Sequence, residues 1–321
     1  MMPRRRERPV SDDKAASPAL SSAAVSTARA DEVLYNVARG YDRTVVLIDQ
    51  FIDNPLREAI ATLSPPAASA LLDDPIFEDD LQRAPMLLAL SNKLPEHYAL
   101  LEHSLKLAQE QHAEPGAAPG ICAWLFSQAT LERLRSAMLA RLNLRYPSGD
   151  AVYLRYFDPR VMPHLARLLP PSTAPGMPGR SSFADLLGPV ERWCQLDRDG
   201  QLIQYSQARQ VLAAQDLPLR IDEPTRQAMD RIEQINLVVR ILRARQTAIV
   251  PGIDAQIDDY LLHGASVGLE RPDDQITYAW RAVVHGQAFT LHPALGELMR
   301  MAATQGLPLD ILLNARLHPL S

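Results

Sequence analysis

The chain has 321 residues, of which 47% are hydrophobic and 22% charged, so it is long enough to bury one large core or two modest ones. Its formal net charge of −5 argues against a nucleic-acid-binding protein, because that class carries a basic excess. No stretch approaches the roughly 18 uninterrupted apolar residues of a membrane-spanning helix. We therefore expect two soluble lobes that bind neither nucleic acid nor membrane.

The N-terminal 30 residues are predicted to be a disordered tail. Four arginines between positions 4 and 8 are followed by Ser-, Ala- and Pro-rich sequence instead of an apolar segment, so we expect no secretory signal. The two cysteines, Cys122 and Cys194, lie in apolar, strand-like segments. We predict that both are buried free thiols, as suits the reducing cytoplasm.

Residues 31–205 alternate strand and helix patterns, which predicts an α/β or α+β lobe with a mixed sheet. Asp197 to Gly200 is typical of a hairpin turn, since glycine adopts positive φ at no steric cost. The predicted strands are Thr44–Asp49, Met86–Leu90, Ile121–Phe126, Val190–Gln195 and Leu202–Tyr205. The predicted helices are Asp31–Arg39, a helix through Leu56 and Leu63 with Asn54 as N-cap, one starting at Pro95, Thr130–Leu142 and Phe183–Leu187.

The segment YLRYFDPR, Tyr153 to Arg160, is the most specific local signal in the chain. It predicts a strand that leads into a helix starting at Pro159, with Asp158 as N-cap, and a helix end at the proline pair at 170–171. We interpret Arg155, Asp158 and Arg160 as a structural group in which an arginine locks the turn. The alternative is that Arg160 contacts a partner. The Pro- and Gly-rich stretch at 171–179 is predicted to be a surface loop.

Residues 206–321 show only helical periodicity, which predicts an all-helical second lobe. The expected helices are Thr225–Arg245, Ile253–Leu269, Pro272–His285 and Pro293–Gln305. One face of the first helix carries a stripe of mostly apolar side chains. This stripe either faces a core or forms a groove for a partner helix. Its members are Met229, Ile232, Asn236, Val239 and Leu242.

Motifs of common enzyme classes are absent from the sequence: it has no P-loop, dinucleotide-binding glycine motif, GxSxG elbow or HExxH. His263, His285 and His292 lack partners at metal-ligand spacing, so we expect surface or capping histidines. Asp258 and Asp259 are expected to be solvated, since adjacent helical residues point about 100° apart. We predict no catalytic residues, no cofactor and no metal.

Five sequence blocks stand in order along the first lobe: VVLID at 45–49, APMLLAL at 84–90, ICAWLFS at 121–127, LRYFDPR at 154–160 and GPVERWCQLDRDG at 188–200. Together they resemble the type VI secretion effector-chaperone family, also called type VI adaptors. The resemblance extends from Val45 to Tyr205 and includes the strand-borne Trp193.

This resemblance implies a bacterial cytoplasmic adaptor that binds one toxin effector and helps to load it onto the VgrG spike. We expect Arg155, Asp158, Pro159, Arg160 and Trp193 to form a structural motif or contact a partner. We expect the toxin to bind apolar surface of the helical lobe and its junction with the first lobe. The alternatives are an immunity protein that blocks a toxin, and a hydrolase or transferase that uses the Arg155/Asp158 region.

Overall fold

The computed structural model describes residues 23–24, 29–113, 119–145, 151–171, 181–207 and 218–317. Most of the predicted N-terminal tail and the predicted loop at 171–179 lie outside these residues. The predicted fold class is confirmed: a lobe built on a β-sheet is followed by a lobe in which every element from Glu223 to Arg316 is a helix.

The first lobe contains a seven-stranded sheet of order β1-β9-β8-β5-β2-β4-β3, with a separate ribbon formed by β6 and β7. Every pairing is antiparallel, so α+β describes this lobe and the predicted mixed sheet is refined to an antiparallel one. The strands are β1 Ala23–Ala24, β2 Arg43–Ile48, β3 Ala68–Leu71, β4 Met86–Ser91, β5 Ile121–Phe126, β6 Asn143–Arg145, β7 Ala151–Tyr153, β8 Arg192–Leu196 and β9 Leu202–Ser206.

Helices cover both faces of this sheet and are the regular elements of the described part of the second lobe. In the first lobe they are α1 Ala30–Ala38, α2 Arg57–Ala61, α3 Pro95–Ala113, α4 Leu131–Leu142, α5 Met162–Leu168 and α6 Phe183–Leu187, with 3₁₀ turns at Pro75–Phe77 and Leu81–Arg83. In the second lobe they are α7 Glu223–Asp230, α8 Ile232–Ala244, α9 Ile253–Ser266, α10 Pro272–His285, α11 Gln287–Thr290, α12 Leu295–Gln305 and α13 Leu309–Arg316.

The sheet separates two apolar cores because successive side chains of a strand point to opposite faces. On β2, Val45 and Leu47 pack with α4, α5 and α6, whereas Val46 and Ile48 pack with α1 and α3. A register shift in the β2–β5 ladder interrupts the alternation. Cys122 therefore lies in the same core as its neighbour Ala123. Both cysteines are buried free thiols, as predicted.

The helical lobe shares a core with the sheet lobe. Leu219, Ile221 and Ile232 are buried in the cluster that also holds Val45 and Leu47. Farther along α8, Val239 and Leu242 pack on α9 and α10. The stripe predicted on this region therefore faces cores at both ends, which confirms the core-facing alternative.

Two predictions for the helical lobe are wrong. The expected helix Thr225–Arg245 is two helices, since Arg231 (φ −90°, ψ −4°) ends α7 and precedes α8. Asp258 is buried and not solvated, because the Arg231 Nε donates a hydrogen bond to its Oδ1 at 2.6 Å. The same arginine thus marks the break and ties it to α9.

Candidate functional site

One edge of the sheet collects the segment YLRYFDPR and the loops that flank β2, β4 and β5. Ile48 at the end of β2 pairs with Met86 at the start of β4 and with Ile121 at the start of β5. The chain leaving β2 therefore lies beside the chain entering both neighbouring strands. Arg155 reaches this edge and forms an ion pair with Asp49, the residue that follows β2.

The predicted helix start at Pro159 is wrong, because α5 begins at Met162. A helix running from Pro159 would need a Pro163 N–H to bond the Pro159 carbonyl, and proline has none. In α5, Pro163 lies in the first turn, where no such bond is required. The Pro159 carbonyl instead accepts a hydrogen bond from Gln195 Nε2 at 3.1 Å. The strand predicted from Tyr153 to Phe157 is also wrong beyond its first residue, since β7 is Ala151–Tyr153.

Asp158 nevertheless makes the bonds of a cap, on the turn that precedes α5. Its Oδ1 accepts from the backbone N–H of Arg160 at 2.9 Å. Its carbonyl accepts from the N–H groups of Val161 and Met162 at 2.9 and 3.1 Å. The Arg160 guanidinium binds both carboxylate oxygens, at 2.9 Å through Nε and 2.6 Å through Nη2. The carboxylate therefore fixes the turn, as the sequence predicted, four residues before the helix begins at Met162.

The two carboxylates of the site are buried, whereas their arginine partners reach solvent. The side chains of Asp49 and Asp158 are each 7% exposed, against 38% for Arg155 and 51% for Arg160. Asp49 also accepts from the Phe51 N–H at 3.1 Å. The site thus exposes two guanidinium groups to solvent, and each is paired with a buried carboxylate beneath it.

Burial is the largest influence on the pKa values of Asp49 and Cys122. It raises the pKa of Asp49, while the charge of Arg155 opposes that rise and the charge of Asp158 adds to it. Burial likewise raises the pKa of the Cys122 thiol well above its usual value, and the negative charges of Asp49 and Asp158 raise it further. A nucleophilic cysteine needs the opposite shift, so Cys122 is suited to packing and not to covalent chemistry.

Trp193 belongs to the same structural group but lies inside the core. Its indole Nε1 donates to Gln195 Oε1 at 2.9 Å, and the Gln195 amide in turn donates to the carbonyl of Pro159. Its ring lies 6.0 Å from that of Tyr156, centroid to centroid. Because Trp193 is 1% exposed, its indole packs beneath the turn, inside the core.

The structure brings together all five residues singled out in the sequence and adds others that were missed. Asn236 of α8 donates to the Arg160 carbonyl at 3.2 Å, and its Oδ1 lies 3.3 Å from His164 Nε2. His164 is buried, and burial lowers its pKa. Asp49 and Gln195 were visible as polar residues in or next to apolar strands. No local signal links Asn236 to a residue 76 positions earlier.

Exposed apolar side chains lie in the loop beside the Arg155 guanidinium. Phe51 and Ile52, in the loop after β2, are 48% and 80% exposed. The guanidinium carbons of Arg83 and Arg155 lie 5.2 and 5.9 Å from the centre of the Phe51 ring. We call Phe51, Ile52, Arg83, Arg155 and Arg160 the sheet-edge surface. Its aromatic and arginine side chains are of the types enriched where proteins bind one another.

The described residues hold no group of three or more His, Cys, Asp or Glu side chains placed to bind a metal ion. In the same part of the chain, no helix has both the length and the apolar character needed to cross a bilayer.

Neither the curated proteins nor the solved structures contain a match to this chain. A family model described as a domain of unknown function, DUF4123, matches residues 46–175. The matched stretch runs from β2 through α5 and includes Asp49 and the turn at Asp158. It stops before Trp193 and the helical lobe.

Proposed function

We propose that this protein is a cytoplasmic type VI secretion adaptor that binds a toxin effector and promotes its loading onto the VgrG spike. The observation that carries the proposal is the ordered set of five sequence blocks that resemble that family. The DUF4123 match supports it, because residues 46–175 contain four of these blocks, apart from Val45 at the margin.

The geometry of the site favours binding over turnover. The carboxylates of Asp49 and Asp158 are each paired with an arginine and with a backbone N–H group. Groups engaged in this way hold a turn in place, whereas a general base must be free to accept a substrate proton. The guanidinium groups beside Phe51 remain accessible to a protein partner. The activity we propose is therefore recognition, without catalysis or a cofactor.

The helical lobe offers the apolar surface that we propose for the toxin. Seven of its large aliphatic side chains are more than one third exposed, although each belongs to or borders a helix with a buried face. They are Val250, Leu262, Val267, Val284, Leu291, Leu307 and Ile311. The sheet-edge surface lies on the other lobe, so it offers a separate contact for a second partner.

The proposal is tested by affinity capture of the tagged full chain from its own host while the type VI system is active. We expect mass spectrometry to identify a toxin and VgrG in a complex that survives gel filtration. A stable complex of this kind buries at least about 1,000 Å². Deleting the gene should lower secretion of that toxin and leave other type VI cargo unaffected.

Two outcomes would indicate a different function. A chain that protects cells from the isolated toxic domain, with no VgrG in the complex, would be an immunity protein. If the purified chain converts a small-molecule substrate, and Asp158→Ala abolishes this conversion while keeping its fold, the protein would be an enzyme. A toxin that is secreted equally well without the gene would also contradict the adaptor function.

A further inference from the structure

A pocket of about 280 Å³ opens on the helical lobe between the end of α9, α10 and the segment from α11 to α12. Its floor is apolar and buried: Tyr278, Leu295 and Met299 are 2%, 4% and 4% exposed. The volume lies just below the roughly 300 to 1,000 Å³ of small-molecule sites. It suits a few anchoring side chains of a peptide better than a cofactor.

Two aliphatic side chains stand at the mouth of this pocket. Leu291 is 74% exposed and Val267 is 41% exposed, and both line the opening. Isolated exposed aliphatic residues are common on protein surfaces, but here they extend the buried apolar floor outwards. An apolar partner would therefore be contacted both inside the pocket and around it.

The charge at the mouth has a single sign. The side chains lining the pocket that can carry a positive charge are His263, His292 and Arg300, and none of the described residues that line it is an aspartate or glutamate. The His292 ring is held in place because its Nδ1 accepts from the Ala294 N–H at 3.2 Å. A partner with carboxylates beside its apolar anchors would complement this mouth.

Gly296 lines the pocket at the second position of α12. A Cβ atom added there would meet no atom within 4 Å, so nothing in the described chain requires a glycine at this position for space. A residue without a side chain lets another backbone approach closely. Gly296 thus leaves room for a partner helix to cross the start of α12.

We propose that this pocket binds an amphipathic helix of a partner protein, with apolar anchors in the pocket and Asp or Glu side chains facing His263, His292 and Arg300. That the helix belongs to the toxin rests on the proposed function. The recognition chemistry itself rests only on the pocket.

The test uses a fluorescent synthetic peptide with leucine at positions i, i+3, i+4 and i+7 and glutamate on the flanks of that stripe. Binding to the full chain is followed by fluorescence anisotropy. We expect saturable binding that weakens as salt is added, because added ions screen exposed charges. Matched peptides with lysine in place of glutamate, or serine in place of leucine, should bind at least about tenfold more weakly, a difference of about 1.4 kcal/mol.

Variants of the chain locate the binding. Leu291→Ser, Arg300→Glu and Gly296→Leu should each weaken binding of the leucine/glutamate peptide by about tenfold or more. Because all three positions are exposed, we expect their melting temperatures to match the parent. The controls are Ile76→Ser, an aliphatic residue 59% exposed in the 3₁₀ turn Pro75–Phe77 of the first lobe, and Arg240→Glu, an exposed arginine on α8. Both should bind like the parent.

The inference would be overturned if the three pocket variants bound the leucine/glutamate peptide as tightly as the parent does. It would also be overturned if the parent bound the lysine peptide as tightly as the leucine/glutamate peptide, or did not bind the leucine/glutamate peptide. Failure to capture any toxin would count against the proposed function alone, since the peptide measurements do not depend on the toxin.

Discussion

Asp158 shows how one side chain organises the most specific motif of the chain. Its side chain is 7% exposed, accepts a backbone hydrogen bond from Arg160 and binds that residue's guanidinium with both oxygens. Arg160 is itself half exposed, so solvent screens the ion pair and its contribution to stability is small. The larger contribution comes from the backbone hydrogen bond, because an unsatisfied N–H group near the core is costly.

We expect Asp158→Ala to lower the free energy of unfolding by about 0.5 to 2 kcal/mol, the range measured for lost caps. The control is Asp80→Ala. Asp80 accepts from the Gln82 N–H at 3.2 Å and pairs with Arg83 at 3.2 Å, but its side chain is 50% exposed. That change should cost less than about 0.5 kcal/mol, as surface substitutions do. Urea titrations of both variants provide the measurement, and equal losses would contradict a special role for the buried turn.

Among the elements, the hairpin of β8 and β9 connects the two lobes. Its turn, predicted from the sequence and marked by Gly200 at φ +72°, points two charged residues at the helical lobe. Arg198 donates to Asp254 of α9 at 2.6 Å, and Asp199 accepts from Arg243 of α8 at 2.8 Å. The first pair is 24% exposed on both sides, whereas the second is 39% and 62% exposed.

A double-mutant cycle on each pair should distinguish them. We expect the Arg198–Asp254 pair to show a coupling energy of about 1 kcal/mol or more, because it is partly desolvated. The Arg243–Asp199 pair, used as the matched comparison, should show less than about 0.5 kcal/mol. Free energies of unfolding of the alanine variants, single and double, supply both values. Coupling of the same size in the two pairs would mean that burial does not set their strength.

At the scale of the whole molecule, the two lobes share a core, so we expect them to unfold as one unit. Leu219, Ile221 and Ile232 lie between the helical lobe and the sheet. Burying one such side chain stabilises a protein by about 1.5 to 3 kcal/mol, and a whole domain is stable by only about 5 to 15 kcal/mol. Removing the helical lobe would therefore withdraw a large fraction of the stability of the sheet lobe.

Unfolding in urea should accordingly be a single transition. Trp124 and Trp193 lie in the sheet lobe and Trp280 in the helical lobe, so in Trp280→Phe the tryptophan fluorescence reports the sheet lobe alone. Far-UV circular dichroism of the same variant reports mainly helices. We expect the two signals to give the same midpoint, as a two-state transition requires. If the circular dichroism signal has its midpoint at a lower urea concentration than the fluorescence signal, the two lobes unfold independently.

The sequence by itself determined the elements whose ends are set within one or two turns of chain. Strand Ile121–Phe126 and helices Phe183–Leu187 and Pro272–His285 have the predicted bounds. Helix α6 has a capping box made by Ser182 and Asp185, and α10 has Pro272 at its first position. Such signals act between residues a few positions apart, so they can be recognised without knowing the fold.

Only the tertiary structure decided what surrounds the turn at Asp158. Arg155 meets Asp49 across 106 positions, Gln195 meets Pro159 across 36, and Asn236 meets Arg160 across 76. Each contact depends on which strands are neighbours and on where α8 packs, and neither is encoded in local periodicity. The same holds for the pocket at Leu291, which exists because helices α9 to α12 pack around it. Long-range packing is a property of the whole chain, since its free energy comes from burying surfaces that are distant in sequence.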